Sequence, residues 1–285
     1  MNTPQFLTVG IVGTGAMGRG IAQLAAQAGS TVRLFDTQPD AIGKAQAALG
    51  AQWDKLAEKG KLTPEAAAGH KARLKPAAAL ADLADCDLLI EAIVERLDVK
   101  KSLFAELEGI VQPGAVLATN TSSLSVTAIA AGLKRPARFA GYHFFNPVPL
   151  MKLVEVIRAL TTSDETYKAL FDFAVAIGKE PVTAPDKSGF IVNRLLVPYL
   201  LDAIRCYERG LGTKEDIDNA MKLGCGYPMG PLTLLDFVGL DTTYYIANIM
   251  FDEYKDPMFA APPLLKRMVL AGKHGRKSGE GFYKY

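Results

Sequence analysis

His143 is the side chain of this sequence best suited to acid–base chemistry. The chain has three histidines, of which His70 lies in an Ala- and Lys-rich helical stretch and His274 in a basic segment near the C-terminus. His143 instead lies in an apolar segment, residues 139–147, that ends in a proline-rich loop. An imidazole titrates near neutral pH, so it can accept the proton of an alcohol while a hydride leaves for a cofactor. His143 is therefore the candidate general base.

Glu155 is the candidate partner of that histidine. It interrupts residues 152–157, an apolar run that otherwise predicts a buried strand, and a carboxylate inside such a run is costly unless it is paired. A turn at residues 147–149 could bring Glu155 beside His143, where it would orient the imidazole and stabilise the imidazolium. The alternative to a functional pair is a histidine buried in the core and a glutamate on a solvent-exposed face of its strand. The pattern alone leaves both open.

A glycine-rich motif near the N-terminus predicts a dinucleotide site. Gly13, Gly15 and Gly18 have GxGxxG spacing between a predicted strand at residues 8–12 and a predicted helix at residues 17–28. In this context the glycines permit a tight turn, close approach of a pyrophosphate and close packing of helix on strand, and the helix N-terminus favours the phosphate charge. Asp36 ends the next strand, 23 residues after Gly13. A carboxylate there favours NAD over NADP. The alternative is a structural glycine turn and a solvent-facing aspartate.

A polar segment, residues 120–123, follows another predicted strand. The carboxyl ends of parallel strands gather around a ligand, so Asn120 and Ser122 are candidate site residues. Asn and Ser are also common helix N-caps. Sequence physics does not separate these two interpretations.

The elements that would position these residues alternate between strand and helix. Strands are predicted at residues 8–12, 31–35, 87–92 and 116–119, with helices at 17–28, 40–59, 64–74, 99–110 and 125–131 between or after them. This alternation predicts an α/β fold, a Rossmann-type mainly parallel sheet with helices on both faces.

The pattern becomes helical after about residue 185. Residues 189–209, 214–223, 231–254 and 263–271 favour helix, and Thr213 with Asp216 resembles a capping box in which Asp replaces Glu. The polar, proline-containing segment 184–188 is the predicted boundary. We therefore expect a NAD-binding domain over residues 1–185 and an all-helical C-terminal substrate and dimerisation domain over residues 186–285.

Composition excludes several other classes of protein. The net charge of +2 argues neither for nor against a partner. The basic residues are spread along the chain with acids between them, unlike the clustered basic face of nucleic-acid binders, so no nucleic-acid partner is expected. The three cysteines lack CxxC spacing, so neither disulfides nor a zinc site is expected. No signal or transit peptide and no apolar run of roughly 18 residues is apparent. We expect a cytoplasmic protein with no membrane association. The basic stretch at residues 273–277 is either a solvated tail loop or functional.

With these segments in hand, the chain strongly resembles the L-3-hydroxyacyl-coenzyme A dehydrogenases, particularly the short bacterial 3-hydroxybutyryl-coenzyme A dehydrogenases. The similarity covers nearly the whole length. Its most specific segments are residues 13–18, 120–123, 141–147, 189–194, 226–231 and 279–283.

The resemblance implies a role for each matching residue. It makes His143 the base, Glu155 its partner, and Ser122 and Asn193 contacts of the substrate's 3-oxygen. Coenzyme A phosphates in the family meet a lysine for which Lys59 is the best match, while a family serine nearby is replaced by Gln52. The implied NAD contacts are Gly13, Gly15, Ala16, Met17, Gly18, Asp36, Ala92, Glu95, Lys100, Asn120, Ser122, Asn146 and Lys277. It further implies an acyl-coenzyme A substrate, a homodimer formed through the C-terminal helices, and no metal.

Two competing functions stay open on the sequence. One is an NAD-dependent dehydrogenase of a free 3-hydroxy acid, which activity on free 3-hydroxybutyrate above that on its thioester would favour. The other is a non-catalytic NAD-binding protein, which would need the glycine motif and Asp36 but not the polar site. The presence of Ser122, His143, Glu155 and Asn193 together favours an enzyme. The implied reaction is the reversible oxidation of a short-chain (S)-3-hydroxyacyl-coenzyme A to its 3-oxo form with NAD.

Overall fold

The computed structural model of the chain describes residues 5–285. The chain divides into two compact units, of which the first ends at Asp186 and the second runs from Lys187 to Tyr285. The boundary expected from sequence lies one residue earlier. Each unit has its own apolar core.

The first unit alternates strands and helices. Its strands are β1 (Thr8–Val12), β2 (Thr31–Phe35), β3 (Leu74–Pro76), β4 (Leu88–Glu91), β5 (Val116–Thr119), β6 (Phe139–Phe144), β7 (Leu153–Arg158) and β8 (Glu180–Pro185). Its α-helices are α1 (Ala16–Gln27), α2 (Ala41–Glu58), α3 (Pro64–Arg73), α4 (Leu97–Ile110), α5 (Val126–Ala130) and α6 (Asp164–Ala176).

The eight strands form one sheet in the order β3-β2-β1-β4-β5-β6-β7-β8. All neighbours are parallel except β6 and β7. Strand order reverses between β1 and β4, so right-handed crossovers place α1 and α4 on opposite faces. The reversal also leaves the ligand-binding crevice of a doubly wound sheet at the carboxyl ends of β1 and β4. The predicted α/β fold with a mostly parallel sheet is confirmed.

Burial explains why the central strands read as apolar runs. Every residue of β4, β5 and β6 is buried, as expected for strands covered on both faces. Trp53 of α2, the one tryptophan of the chain, is fully buried in the core of this unit. Its indole therefore reports on the packing of the first unit.

Three strands were not predicted from the sequence. β3 has only three residues, and β6 was treated as an apolar segment without an assigned element. β8 pairs only with β7 at the sheet edge and is largely exposed. Prolines at both its second and last positions are tolerated because an edge strand needs fewer backbone donors for its ladder. Because proline disfavours strand, the sequence pattern did not predict β8.

The second unit contains five α-helices and no named strand among its described residues. They are α7 (Val192–Glu208), α8 (Lys214–Cys225), α9 (Pro231–Val238), α10 (Leu240–Tyr254) and α11 (Pro263–Leu270). The predicted helical C-terminal region is confirmed. The single helix predicted over residues 231–254 is wrong, because Gly239 has φ +104° and separates α9 from α10. The Thr213 cap is present, since its hydroxyl accepts from Asp216 N at 3.1 Å and pairs with Asp216 Oδ2 at 2.7 Å.

Candidate active site

The glycine motif forms the turn between β1 and α1. Gly13 has φ +93°, and a Cβ there would lie 2.6 Å from Ala92 O. A Cβ on Gly18 would lie 1.8 Å from Gly13 O. Both positions therefore need glycine for the protein's own packing. A Cβ on Gly15 would meet no atom within 4 Å, although Gly15 is the N-cap of α1.

The open space at Gly15 fits a dinucleotide. Gly15 and Ala16 are exposed and Met17 is half-buried at the first turn of α1, where unpaired backbone N–H groups attract phosphate. The protein itself does not require glycine at position 15, whereas a pyrophosphate lying against the backbone would. These residues could hold the phosphates of NAD.

The Asp36 carboxylate contacts this turn through Thr14. Its Oδ2 accepts from Thr14 N at 2.7 Å and Thr14 Oγ1 at 2.9 Å, and its Oδ1 accepts from Gln38 N at 3.0 Å. Burial acts to raise the pKa of the Asp36 carboxyl, but these hydrogen bonds outweigh burial and hold the pKa below its usual value. The carboxylate is thus ionised and fixed beside the glycine turn, where it could accept from ribose hydroxyls.

A buried ionic cluster follows β4. Lys100 of α4 is 1% exposed and its Nζ lies 2.5 Å from Glu91 Oε1 and 3.2 Å from Glu95 Oε2. Glu95 and Lys100 were expected from the family resemblance, but Glu91 was not singled out. Its only signal in the sequence is a carboxylate at the end of an otherwise apolar strand.

Glu95 holds the segment that carries Ser122. Its Oε1 accepts from Thr121 Oγ1 at 2.6 Å, Ser122 N at 2.8 Å and Ser122 Oγ at 3.3 Å. Burial acts to raise the pKa of Glu95, but the Lys100 charge and the donors of Thr121 and Ser122 outweigh it and lower the pKa. The helix that follows is capped by Ser125, whose hydroxyl accepts from Ala128 N. The N-cap interpretation of residues 120–123 is therefore wrong.

Asn120 joins two strand ends. Its backbone N donates to Glu91 O, and its Oδ1 accepts from Phe144 N, both at 2.8 Å. The side chain thereby ties the segment after β5 to the carboxyl end of β6, which contains His143. This contact brings the Ser122 segment and His143 to the same edge of the sheet.

His143 and Glu155 face each other across β6 and β7. They are register partners in the antiparallel pair, and His143 Nδ1 lies 2.7 Å from Glu155 Oε2. Both side chains are buried, with 6% and 1% exposure. A carboxylate oxygen accepts a hydrogen bond, so Nδ1 is the donor in this pair and Nε2 is the ring nitrogen that can take up a proton. Glu155 therefore lies beside His143, as expected from the sequence.

Lys179 supports the loop between these two strands and was not predicted from the sequence. It is 6% exposed, and its Nζ donates to Val148 O at 2.5 Å and Met151 O at 2.6 Å. Burial lowers the pKa of Lys179. The loop also rests on α1, because a Cβ on Gly20 would lie 2.6 Å from Val148 Cβ. Asn146, an expected cofactor contact, is exposed at the start of this loop.

The remaining predicted residues lie elsewhere. Lys59 is exposed at the C-cap of α2, and Gln52 is exposed within the same helix. In the second unit, Asn193 lies in the first turn of α7, and Lys277 pairs with Asp241, with Nζ 2.5 Å from Oδ1. The basic stretch at residues 273–277 is thus engaged in ion pairing rather than fully solvated.

Two of the family-like motifs have structural roles in the second unit. Asp218 accepts from Leu232 N at 2.8 Å and Thr233 N at 2.9 Å, and a Cβ on Gly230 would lie 2.4 Å from Asp218 Cα. Asp236 accepts in the same way, at 2.8 Å each, from the backbone amides of residues 282 and 283. These buried carboxylates explain the motifs at residues 226–231 and 279–283 without assigning them chemistry.

Within residues 5–285, no group of three or more His, Cys, Asp or Glu side chains could hold a metal ion. No helix in the same range is long and apolar enough to cross a membrane.

The chain is similar to one family of known proteins along nearly its whole length. Residues 8–187 match the 3-hydroxyacyl-CoA dehydrogenase NAD-binding domain, and residues 189–285 match the C-terminal domain of the same family. A probable 3-hydroxybutyryl-CoA dehydrogenase from Deinococcus radiodurans is 49% identical, over 97% of this chain and 99% of the relative. The human mitochondrial hydroxyacyl-coenzyme A dehydrogenase is also 49% identical, over 97% of this chain and 90% of that protein.

Solved structures give the same result. FadB2 of M. tuberculosis has a TM-score of 0.95 and 46% identity, over 98% of this chain and 99% of that one. (S)-3-Hydroxybutyryl-CoA dehydrogenase PaaH1 from Ralstonia eutropha has a TM-score of 0.94 and 43% identity, with the same coverage. The chain therefore belongs to the 3-hydroxyacyl-CoA dehydrogenase family of NAD-dependent oxidoreductases.

Proposed function

We propose that this chain catalyses the reversible NAD-dependent oxidation of a short-chain (S)-3-hydroxyacyl-CoA to the 3-oxoacyl-CoA, with His143 as general base. The observation that carries the proposal is the buried pair of His143 Nδ1 and Glu155 Oε2, 2.7 Å apart. Such a pair holds an imidazole in one tautomer and stabilises its protonated form. That is what removal of a hydroxyl proton at neutral pH requires.

His143 Nε2 takes the proton of the substrate's 3-hydroxyl in the oxidative direction. Glu155 then balances the charge of the imidazolium, and the same group returns the proton when the reaction runs in reverse. NAD, when bound, supplies the acceptor for the hydride from C3. The buried position of both side chains strengthens their interaction, because little water screens it.

In this proposal Ser122 and Asn193 are the donors to the 3-oxygen, and the Ser122 hydroxyl turns away from Glu95 Oε1, to which it donates at 3.3 Å, to reach this oxygen. Donors aimed at this oxygen stabilise negative charge as it develops in the reverse direction. Two contacts support the role of Ser122: Glu95 Oε1 fixes its backbone N at 2.8 Å, and the Asn120 side chain joins its segment to β6. Asn193 belongs to the second unit, which we propose is the substrate and dimerisation domain.

NAD lies along the glycine turn in this proposal. Gly13, Gly15 and Gly18 with the first turn of α1 take the pyrophosphate, and Asp36 takes the adenosine ribose. The proposed contacts at the nicotinamide side are Ala92, Glu95, Lys100, Asn120, Ser122 and Asn146. Lys277, which pairs with Asp241, is a further candidate contact.

The relatives and one exposed lysine support the proposed substrate class. The D. radiodurans and R. eutropha proteins carry 3-hydroxybutyryl-CoA in their names, which supports a short acyl chain. Lys59 is exposed and so is available to coenzyme A phosphates. Homodimer formation through the C-terminal helices is proposed from the family resemblance, and Leu195 of α7 and Leu223 of α8 are apolar side chains exposed on these helices, at 72% and 85%.

The proposal is tested by NADH oxidation with acetoacetyl-CoA, measured beside free acetoacetate and beside NADPH. Thioester-dependent turnover with NADH is expected, and 3-oxoacyl-CoA esters of increasing length then give the chain-length preference. Faster turnover of free acetoacetate would favour a free-acid dehydrogenase. NADH binding without turnover of either compound would identify a non-catalytic NAD-binding protein.

A further inference from the structure

Glu91 is a fully buried carboxylate at the carboxyl end of β4. Its Oε1 accepts from Lys100 Nζ at 2.5 Å and from Ile93 N at 2.7 Å, and its Oε2 accepts from Thr119 Oγ1 at 2.7 Å. Its exposure is 0%. Burying a carboxylate this completely is costly, and an apolar residue would serve the core of a central strand better. Its presence at this position points to a role beyond packing.

Lys100 is shared between Glu91 and a second carboxylate. Its Nζ also lies 3.2 Å from Glu95 Oε2, and the side chain is 1% exposed. The ammonium is therefore fixed between two carboxylates rather than projecting toward solvent. Lys100 thus links the carboxylate of Glu91 to that of Glu95.

Glu95, which pairs with Lys100, also fixes the polar segment after β5. Its Oε1 accepts from Thr121 Oγ1 at 2.6 Å and from Ser122 N at 2.8 Å. Glu91 also accepts from Thr119, the last residue of β5. The carboxylates of Glu91 and Glu95 thus hold both ends of the short segment from Thr119 to Ser122.

We propose that Glu91 is a positioning residue that sets the location of Ser122 through Lys100 and Glu95. This inference rests on the proposed role of Ser122 as a contact of the 3-oxygen. Without the charge on Glu91, Lys100 is attracted by Glu95 alone and moves toward it, because opposite charges in a buried site attract strongly. Glu95 then shifts, and with it the Ser122 hydroxyl. A misplacement of about 1 Å at a reacting group can cost about 10²-fold in rate.

The test is a double-mutant cycle between Glu91→Gln and Ser122→Ala, with kcat measured on acetoacetyl-CoA and NADH. Glutamine keeps the shape of glutamate and one oxygen for Lys100 and Ile93, and the Thr119 hydroxyl can rotate to accept from the amide. We expect Glu91→Gln to lower kcat roughly 10- to 10²-fold in the wild-type background. In the Ser122→Ala background we expect a further loss of at most about twofold, because residues that act through each other are not additive.

Glu108→Gln is the matched control. Glu108 is a buried carboxylate on the same helix as Lys100, and it accepts from the backbone N of Lys134 at 2.7 Å and of Arg135 at 2.6 Å. Its substitution is expected to lower stability, measured by urea unfolding with Trp53 fluorescence, and to leave kcat within about twofold.

Equal fold-losses from Glu91→Gln in both backgrounds, or wild-type kcat in the single variant, would overturn the positioning role while leaving the proposed reaction intact. Wild-type kcat in Ser122→Ala alone would instead overturn the proposed role of Ser122, and this inference with it. Should Glu91→Gln fail to fold, Thr119→Val removes one donor to Glu91 and enters the same cycle. It is expected to give a smaller loss with the same dependence on Ser122.

Discussion

His143 on β6 and Glu155 on β7 are register partners across the one antiparallel step of the sheet, with Nδ1 and Oε2 2.7 Å apart. The chain reverses direction after residue 144, and β7 runs antiparallel beside β6, so two residues twelve positions apart become neighbours. Backbone hydrogen bonds between β6 and β7 set their separation. The proposed base and its partner are therefore held by the sheet itself rather than by flexible loops.

His143→Ala is expected to lower kcat by about 10²–10⁴-fold, because it removes the proposed general base. NADH affinity should stay within a few-fold of wild type, since the glycine turn and Asp36 are unchanged. Steady-state kinetics with acetoacetyl-CoA and fluorescence titration with NADH measure the two quantities. Near-normal turnover would rule out His143 as the base.

Glu155→Gln is expected to lower kcat roughly 10- to 10²-fold, since a hydrogen bond to a charged group contributes about 1.5–3 kcal/mol. Loss of the carboxylate leaves the imidazolium without its counter-charge. Glu180→Gln, at an exposed carboxylate on the neighbouring strand β8, is the control and should leave kcat unchanged. Equal kcat in the Glu155 variant and wild type would contradict the proposed stabilisation.

Gly15→Ala is expected to lower NADH affinity, whereas Gly18→Ala is expected to lower stability. A methyl group at Gly15 meets no protein atom within 4 Å, so stability is unchanged while NADH affinity falls about tenfold or more, because the backbone can no longer approach the pyrophosphate. A methyl group at Gly18 would lie 1.8 Å from Gly13 O, so stability falls by about 1–3 kcal/mol or more. Urea unfolding followed by Trp53 fluorescence and NADH titration distinguish the two. Tight NADH binding by a stable Gly15→Ala protein would place the cofactor elsewhere.

Asp36→Ala is expected to lower kcat/KM for NADH roughly 10- to 10²-fold through loss of a charged acceptor for the ribose hydroxyls. The preference for NADH over NADPH should narrow, because the negative charge that repels a 2′-phosphate is removed. Asp40→Ala is the control: Asp40 is exposed and makes no side-chain cap. If the ratio of the two cofactors stayed the same in Asp36→Ala, the ribose assignment would be wrong.

Glu95 should make stability depend on pH in a defined window. The folded state lowers the pKa of Glu95 below its usual 4.5, so its stabilising contribution is complete above that value and is lost as pH falls through the folded-state pKa. The difference in unfolding free energy between wild type and Glu95→Gln should therefore shrink as pH falls below about 4.5. Urea unfolding of both proteins, followed by Trp53 fluorescence across this range, measures the difference. Glu106→Gln, at an exposed glutamate of α4, should show no such trend, and a pH-independent difference for Glu95 would contradict the ionic cluster.

Local patterns in the sequence determined most of the first unit and the identity of its candidate residues. β1, β2 and β5 follow the predicted bounds, because short β-branched or apolar runs that end at glycine or polar residues have few alternatives. The GxGxxG turn with Asp36 was also readable, since the glycine spacing between a strand and a helix is a local pattern. His143 and Glu155 stood out because ionisable groups in apolar runs need partners.

Only the tertiary structure decided which of these residues meet. The antiparallel step from β6 to β7, the sharing of Lys100 between Glu91 and Glu95, and the contact of Lys179 with the loop after His143 all depend on long-range pairing. Local propensity carries no information about such pairing. The break at Gly239 and the proline-bearing edge strand β8 were missed for the same reason, because packing and edge position decide what a glycine or proline does there. The sequence thus determines which residue types are available for chemistry, whereas the tertiary structure determines the distances between them.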